Sequence, residues 1–358
     1  MSRKLYIVTA ALLLLFAACT ERHIDPVLQV PESSHSYIFF EPEVVETVDT
    51  RASMIIGETL PHAEGSAFGV LGFAGDNTTS IFNNVVANVY WDSSNELFKY
   101  DNLAIWYGNE LEHRFYAYYP YGLNSAVAEI VPNEGDPYLT YTQPESESDM
   151  VDILTACTCT TKVSNVPLEF IHRLWALDIV IINNQTAGLS AHNSSAENPS
   201  LYVTEVKVHV NYPNGGVIPL SGDESSPSGD YSDYSYTIYS SDSGEEIKSS
   251  SIEGATADQY SKQYGSLLFV PGGILKYRLE IKYIDSRGQT DGSRTFYYPS
   301  QTSFKTSDTS FEEGNRYKLT IKKTNDAFVI GSYFDPDGAE SDFSPGDWSD
   351  KDVPHTFN

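Results

Sequence analysis

The sequence predicts an all-β protein, because apolar side chains recur at every second residue along most of the chain and at helical spacing almost nowhere. Two further observations point the same way. Aromatic residues are abundant, with 25 Tyr and 17 Phe, and such side chains suit half-buried pleated surfaces. Short apolar runs are also punctuated by Gly, Pro, Asn and Asp at close intervals, which is the pattern of antiparallel sandwiches rather than of a parallel α/β sheet.

The chain opens on a segment of a different kind. Arg3 and Lys4 precede an apolar run from Leu5 to Ala18 that is too short to span a bilayer comfortably, and small residues lead into Cys19. Residues 1–18 therefore read as a secretory signal. A signal ending in small-small-Cys resembles the bacterial lipobox, although Phe16 stands where Leu is commoner. That resemblance implies acylation of Cys19, and two or three acyl chains on one residue anchor stably where a single chain would not.

Thr20 to about Glu32 is polar and reads as a tether. Tyr37-Ile38-Phe39-Phe40 and Val44-Val45 form the next strand-like stretch. Asp49-Thr50-Arg51-Ala52-Ser53 follows, and an exposed Arg between two ordered pieces is a target for a trypsin-like protease. A first β-sandwich is expected over residues 52–184, with strands at Phe68–Phe73, Val85–Trp91, Arg114–Tyr119 and Leu168–Ile182. Residues 185–199 are rich in Asn, Ser and Ala without periodicity and read as an inter-domain linker. A second sandwich is expected over residues 200–358. Its strands include Leu201–Tyr212, Ser266–Val270, Tyr277–Tyr283, Thr295–Tyr298 and Tyr317–Lys322. Tyr277, Leu279, Ile281 and Tyr283 alternate with Arg278, Glu280 and Lys282, as in antiparallel strands wet on one side. Ser221–Glu246, dominated by Ser, Asp, Gly and Tyr, reads as a long exposed loop.

Charge and cysteine content exclude several functions. Loss of Arg3 and Lys4 with the signal, which carries no acid, takes the formal charge from −27 to −29. Such a chain is repelled by nucleic acid and by anionic lipid heads. Beyond Cys19 only Cys157 and Cys159 remain. They point to one face of a strand, where a bridge between them would strain the backbone, and they read as small hydrophobic residues rather than as a disulfide or a metal site.

No local motif announces catalysis, a cofactor or a metal. Gly-x-Ser-x-Gly, a phosphate loop and His-Glu-x-x-His are all missing, so the chain is not expected to be an enzyme. His172 reads as a structural histidine. Asp335-Pro336-Asp337-Gly338 with Asp342 is faintly similar to a calcium loop but lacks the closing bidentate Glu, and reads as a solvated loop. Phe115-Tyr116-Ala117-Tyr118-Tyr119 reads at least half as core packing, though aromatics of this kind could stack on sugars.

Several weak motifs occur in a fixed order. After the lipobox and Thr50-Arg51-Ala52-Ser53 come Phe68-Gly69-Val70-Leu71-Gly72-Phe73, Phe115-Tyr116-Ala117-Tyr118-Tyr119-Pro120 and Asp152-Ile153-Leu154-Thr155-Ala156. Val166–Leu174, Pro271-Gly272-Gly273, Gly314-Asn315-Arg316-Tyr317-Lys318-Leu319 and Asp347-Trp348 complete the series. Together they resemble the fimbrillin family of Bacteroidetes, the lipoprotein-derived subunits of type V pili. The resemblance implies two transthyretin-like antiparallel β-sandwich domains in tandem and a place on the extracellular face of the cell outer membrane, then in the fimbrium. It implies an arginine-specific protease acting between Arg51 and Ala52, which makes residues 19–51 a lipidated tether with a removable strand. It also implies strand exchange with other pilus subunits, the donor coming from the C-terminal region. Ala327, Phe328, Val329, Ile330 and Tyr333 are the donor candidates here, in a chain that departs from the family by its acidic Asp335–Gly346 stretch and ten residues beyond Trp348. A host or bacterial surface ligand is the further partner expected of an adhesin. The competing expectation is a monomeric surface lipoprotein that binds glycans through exposed aromatics.

Overall fold

The computed structural model describes residues 37–44, 60, 62–75, 79–132, 136–186, 200–285, 293–307 and 309–330, and the backbone of strand segments 333–334, 340–341 and 343–346. In chain order the strands begin with β1 (Phe40–Val44), β2 (Ala67–Ala74), β3 (Thr79–Ser80), β4 (Ala87–Asp92), β5 (Leu97–Lys99), β6 (His113–Tyr119), β7 (Ala128–Val131) and β8 (Tyr138–Thr142). Next come β9 (Leu154–Thr160), β10 (Val166–His172), β11 (Trp175–Asn183), β12 (Ser200–Pro219), β13 (Ser226–Lys248), β14 (Ser261–Phe269) and β15 (Lys276–Asp285). The last are β16 (Arg294–Tyr298), β17 (Lys305–Thr306), β18 (Arg316–Lys323), β19 (Phe328–Ile330), β20 (Tyr333–Phe334), β21 (Glu340–Ser341) and β22 (Phe343–Gly346). One four-residue helix, Ala257–Tyr260, and a short 3-10 turn at Glu147–Asp149 are the helical pieces among the described residues. No helix among them is long and apolar enough to cross a membrane.

The first sheet runs β1-β10-β9-β6-β2-β4-β5, with β3 on β2. Every pairing in it is antiparallel except β1 with β10. Period-two alternation divides its side chains between two cores. Phe68, Val70, Phe115 and Ala117 lie in one cluster; Leu71, Phe73, Tyr116 and Tyr118 lie in the other. Gly69 is required by this packing, because a Cβ there would stand 2.4 Å from a ring carbon of Tyr118.

The second cluster continues into two further sheets. One runs β16-β15-β12-β8-β7, with β13 on β12 and β17 on β15; the other runs β14-β11-β18-β19, with β22 on β18. Between them Val206, Val208, Val210, Leu279 and Ile281 meet Leu177, Ile179, Leu319 and Ile321, all buried. Trp175 closes one end of this core, stacked on Phe311 at 4.1 Å and Phe269 at 4.8 Å and donating its indole N–H to the Tyr212 hydroxyl.

Three features depart from the sequence expectation. The run Leu168–Ile182 is two strands in two sheets, broken at Arg173-Leu174. Arg173 is fully buried there and its guanidinium is held by Glu313 at 2.8 Å and by the Asp223 carbonyl. In consequence β11, expected to close the 52–184 sandwich, lies in register between β14 and β18, and β8 pairs with β12. The pairing is fixed by partners far off in sequence: the Asp178 carboxylate receives the Arg316 guanidinium and the Ser266 hydroxyl, all three buried. Finally, most of the expected loop Ser221–Glu246 is the 23-residue strand β13, laddered along the 20-residue β12. Tyr, Thr and Ser satisfy a strand without apolar alternation because β13 buries only Tyr236 and Ile247.

Candidate functional site

β1 is the feature that a removable strand would have to be, and its geometry follows from its sequence. Phe40–Val44 pairs in parallel with Val166–Phe170, Phe40 opposite Val166 and Val44 opposite Phe170. Alternation buries Ile38, Phe40, Pro42 and Val44 while Glu41 and Glu43 face solvent. The ring of Phe40 meets Phe68 at 6.4 Å and Phe115 at 5.5 Å edge to face, and tilts against Tyr100 at 5.7 Å.

β10 makes this arrangement possible by dividing its ladder. Residues 166–170 pair with β1, whereas Ile171 and His172 pair with β9. β1 and the first part of β10 thus lie across the apolar face of β2 and β6, and Phe170 meets Phe68 at 5.5 Å. Just past this change of partner, the Nδ1 of His172 lies 2.7 Å from the Asp152 carboxylate, both side chains buried. His172 has the structural role expected of it, with a partner twenty residues back that spacing did not reveal.

Beyond Ile38, β1 is bonded on one side only among the described residues. The Val166 N–H donates to the Phe39 carbonyl at 2.7 Å, which turns the odd-numbered backbone groups toward β10 and the even-numbered ones away. Ile38 finds partners on that outer side: its N–H donates to the Ala104 carbonyl at 3.0 Å and its carbonyl accepts from the Tyr100 hydroxyl at 2.8 Å. Burial pushes that hydroxyl up to about 12, so it stays a donor. Pro42 has no N–H, and the missing donor falls on the open side, where no ladder bond is lost. Nothing in the sequence marked Tyr100 or Ala104 as partners of the strand.

At the other end of the chain the edge of β18 is covered in two pieces. β19 pairs with Ile321–Lys323 and β22 with Arg316–Leu319. Of the donor candidates, Ala327 closes the turn into β19 by donating its N–H to the Thr324 hydroxyl. Phe328 is lodged against Phe296 at 4.7 Å and Tyr283 at 4.8 Å, Ile330 is half-buried and Val329 is exposed. Tyr333 lies in β20, which pairs with β21. Cys19, Arg51, Ala52, most of the 185–199 segment, Asp335–Gly338 and Asp342 lie outside the described residues.

Phe115, Tyr116, Ala117 and Tyr118 are all buried, leaving Tyr121 as the exposed ring beside a cleft of about 280 Å³ lined also by Val86, Leu139 and Glu129. Cys157 and Cys159 are half-buried, and burial pushes the Cys159 thiol up to about 12. No group of three or more His, Cys, Asp or Glu among the described residues is placed to hold a metal.

Comparison with known proteins decides the family, since the family model for fimbrillin-like proteins matches residues 50–333. The chain belongs to the fimbrillin-like family. Among solved structures it is similar to a candidate cell adhesion protein from Bacteroides ovatus, with 18% identity and a TM-score of 0.50 over 88% of this chain and 99% of that one. A candidate cell adhesion protein from Bacteroides uniformis matches at 15% identity and a TM-score of 0.45, covering 88% and 99%. A fimbrial protein from Bacteroides ovatus matches at 13% identity and 0.35, covering 86% of this chain and 53% of that one. Among curated proteins no match is found.

Proposed function

We propose that this fimbrillin-like chain is a structural subunit or tip adhesin of a cell-surface pilus, exported as a lipoprotein through Cys19, cleaved between Arg51 and Ala52, and polymerised by strand exchange. The observation that carries the reading is the one-sided seating of β1. It inserts Ile38, Phe40, Pro42 and Val44 into an aromatic core while pairing with β10 alone over Phe40–Val44. A cut at Arg51 severs the link between β1 and the body, and departure of the strand bares the edge of β10 together with the groove under Phe40. Such an edge recruits a strand from another chain, ladder bonds supplying the backbone pairing and alternate side chains filling the groove. Donor and acceptor surfaces differ, so the contact is head-to-tail and grows a filament.

Before the cut β1 competes at high effective concentration, and an incoming strand does not displace it. Outer membranes from cells making the wild type should therefore give a ladder of polymers on unboiled electrophoresis, and Arg51→Ala should give monomer. Fibres of Arg51→Ala as abundant as those of the wild type would defeat the strand-exchange reading. The rival reading, a monomeric glycan-binding lipoprotein, predicts no ladder from either chain and is disfavoured by the burial of the aromatic run from Phe115 to Tyr118.

A further inference from the structure

Five of the thirteen large apolar side chains exposed among the described residues occur together beside the start of β1. Tyr37, Leu103, Ile105, Tyr107 and Leu111 are each between 40% and 55% exposed. Leu103, Ile105 and Tyr107 alternate with Ala104 and Trp106, which turn inward, so the three share an outer face. Tyr37 joins them through an antiparallel bridge to Ile105. Leu111 is tied to the same patch by His113, whose Nε2 accepts the Tyr107 N–H at 3.2 Å while its Nδ1 meets the Leu111 carbonyl at 2.8 Å. Residues 103–108 carry no charge. A contiguous apolar strip of this kind marks an interaction surface.

The bridge also states what reaches it. In an antiparallel pair, stepping back from Tyr37 means stepping forward from Ile105, so a strand continued backward from Tyr37 would run toward Tyr107 and Leu111. Thirty-six residues lie on that side, and their densest apolar run after the signal is Val27-Leu28-Gln29-Val30, flanked by Pro26 and Pro31. Val30 is seven residues from Tyr37, a reach of roughly 23 Å when extended, and Ile105 to Leu111 spans at most about 20 Å. Proline at each end favours the extended backbone that a strand-like neighbour needs. We propose that the strip formed by Leu103, Ile105, Tyr107 and Leu111 is the docking surface for the chain's own segment Val27–Val30.

The stretch between Cys19 and β1 is then more than a tether: its apolar side chains shield a surface that otherwise faces water. The docking itself does not depend on cleavage at Arg51. If that cleavage occurs, the segment leaves with β1, and the strip is bared in the same event as the groove.

The test uses the uncut full-length chain in isolated membranes, with Cys157→Ala and Cys159→Ala to remove background thiols and Arg51→Ala to hold the chain uncut. Leu28→Cys combined with Ile105→Cys should close an intramolecular disulfide on mild oxidation, visible as a mobility shift reversed by reductant. Leu28→Cys with Val329→Cys, an exposed position on β19, should cross-link at least ten-fold less. Equal yields from the two pairs overturn the proposal, and a band at twice the chain mass with the Ile105 pair overturns it in favour of a second copy on the strip. As an independent readout, Leu28→Asp with Val30→Asp should speed hydrogen exchange in the peptide covering residues 103–107 at least three-fold without shifting the melting temperature. Unchanged exchange there, in a variant that melts as the parent does, also overturns the proposal.

Discussion

β1 and β11 are both parallel-paired strands that bury alternate apolar side chains, yet they are held to the body in very different ways. β1 pairs with β10 through five residues and, among the described residues, with no strand on its far side beyond Ile38, and its outward side chains are the solvated Glu41 and Glu43. β11 pairs with β18 through eight residues and with β14 on the other flank, and even its outer face is sealed, with Asp178 buried against Arg316 and Ser266. Removing β1 opens one edge; removing β11 would cut a sheet in two and strand a buried cation. A replaceable strand thus needs an apolar row for affinity, a free flank for access, and no charge locked to the body.

The largest expected effect breaks the pinned strand. Arg316→Ala leaves the Asp178 carboxylate buried without its cation, a change that costs about 3–5 kcal/mol. Urea unfolding should show that loss, and a variant within about 1 kcal/mol of the parent would mean that Asp178 takes up a proton or water instead. Burial already pushes that carboxyl upward, against the pull of Arg316. Next comes Phe40→Ala, which removes a ring seated among Phe68, Phe115 and Tyr100 and should cost about 3 kcal/mol. Its damage should stay in the first sheet. Hydrogen exchange should quicken over residues 166–170 and leave Trp175–Asn183 as protected as before. Equal loosening of both strands would erase the distinction between them.

The strands were legible in sequence wherever one face is wet and the other packed. β15 and β18 show their buried alternation directly. Strand membership was not legible. Nothing local distinguishes Leu168–Phe170 from Leu177–Ile181, and the break between them is made by Arg173, whose partner Glu313 is 140 residues away. β13 was hidden for the opposite reason. Its ladder is long but its side chains are polar, so its strand character comes from β12 and not from its own pattern. Of the candidate site, the strand-like character of Tyr37–Phe40 and Val44-Val45 was visible, whereas the buried row through Pro42 was not, and the Tyr100 hydroxyl and the Ala104 carbonyl that hold Ile38 depend on how residues 100–107 fold back. The parallel direction of the β1–β10 pair was likewise not legible, since alternation is the same for either direction.

The smallest effect concerns the loop that holds the start of β1, and it is a matter of pH. His113 is buried edge to face with Trp106 at 4.7 Å and stacked with Phe115 at 6.5 Å, and as a neutral ring it accepts the Tyr107 N–H while its Nδ1–H donates to the Leu111 carbonyl. Burial lowers its proton affinity in the folded state, against the smaller pull of the Leu111 carbonyl. A folded pKa below the ordinary 6.5 means that the unfolded loop binds the proton more readily. The stabilisation is therefore fully present above pH 6.5 and is lost as pH falls from there through the lowered value, because protonated Nε2 can no longer accept from Tyr107. Hydrogen exchange at residues 103–107 should quicken between pH 7.5 and pH 5 after correction for the intrinsic rate. His209 on β12 also has a lowered pKa through burial, so global stability would mix the two groups, whereas local exchange in the loop separates them. In His113→Gln the pH dependence at these residues should vanish while that of β12 remains. Persistence of the loop's pH response in that variant would show that a titrating group other than His113 governs the loop, and the hold on the start of β1 would then owe nothing to the imidazole.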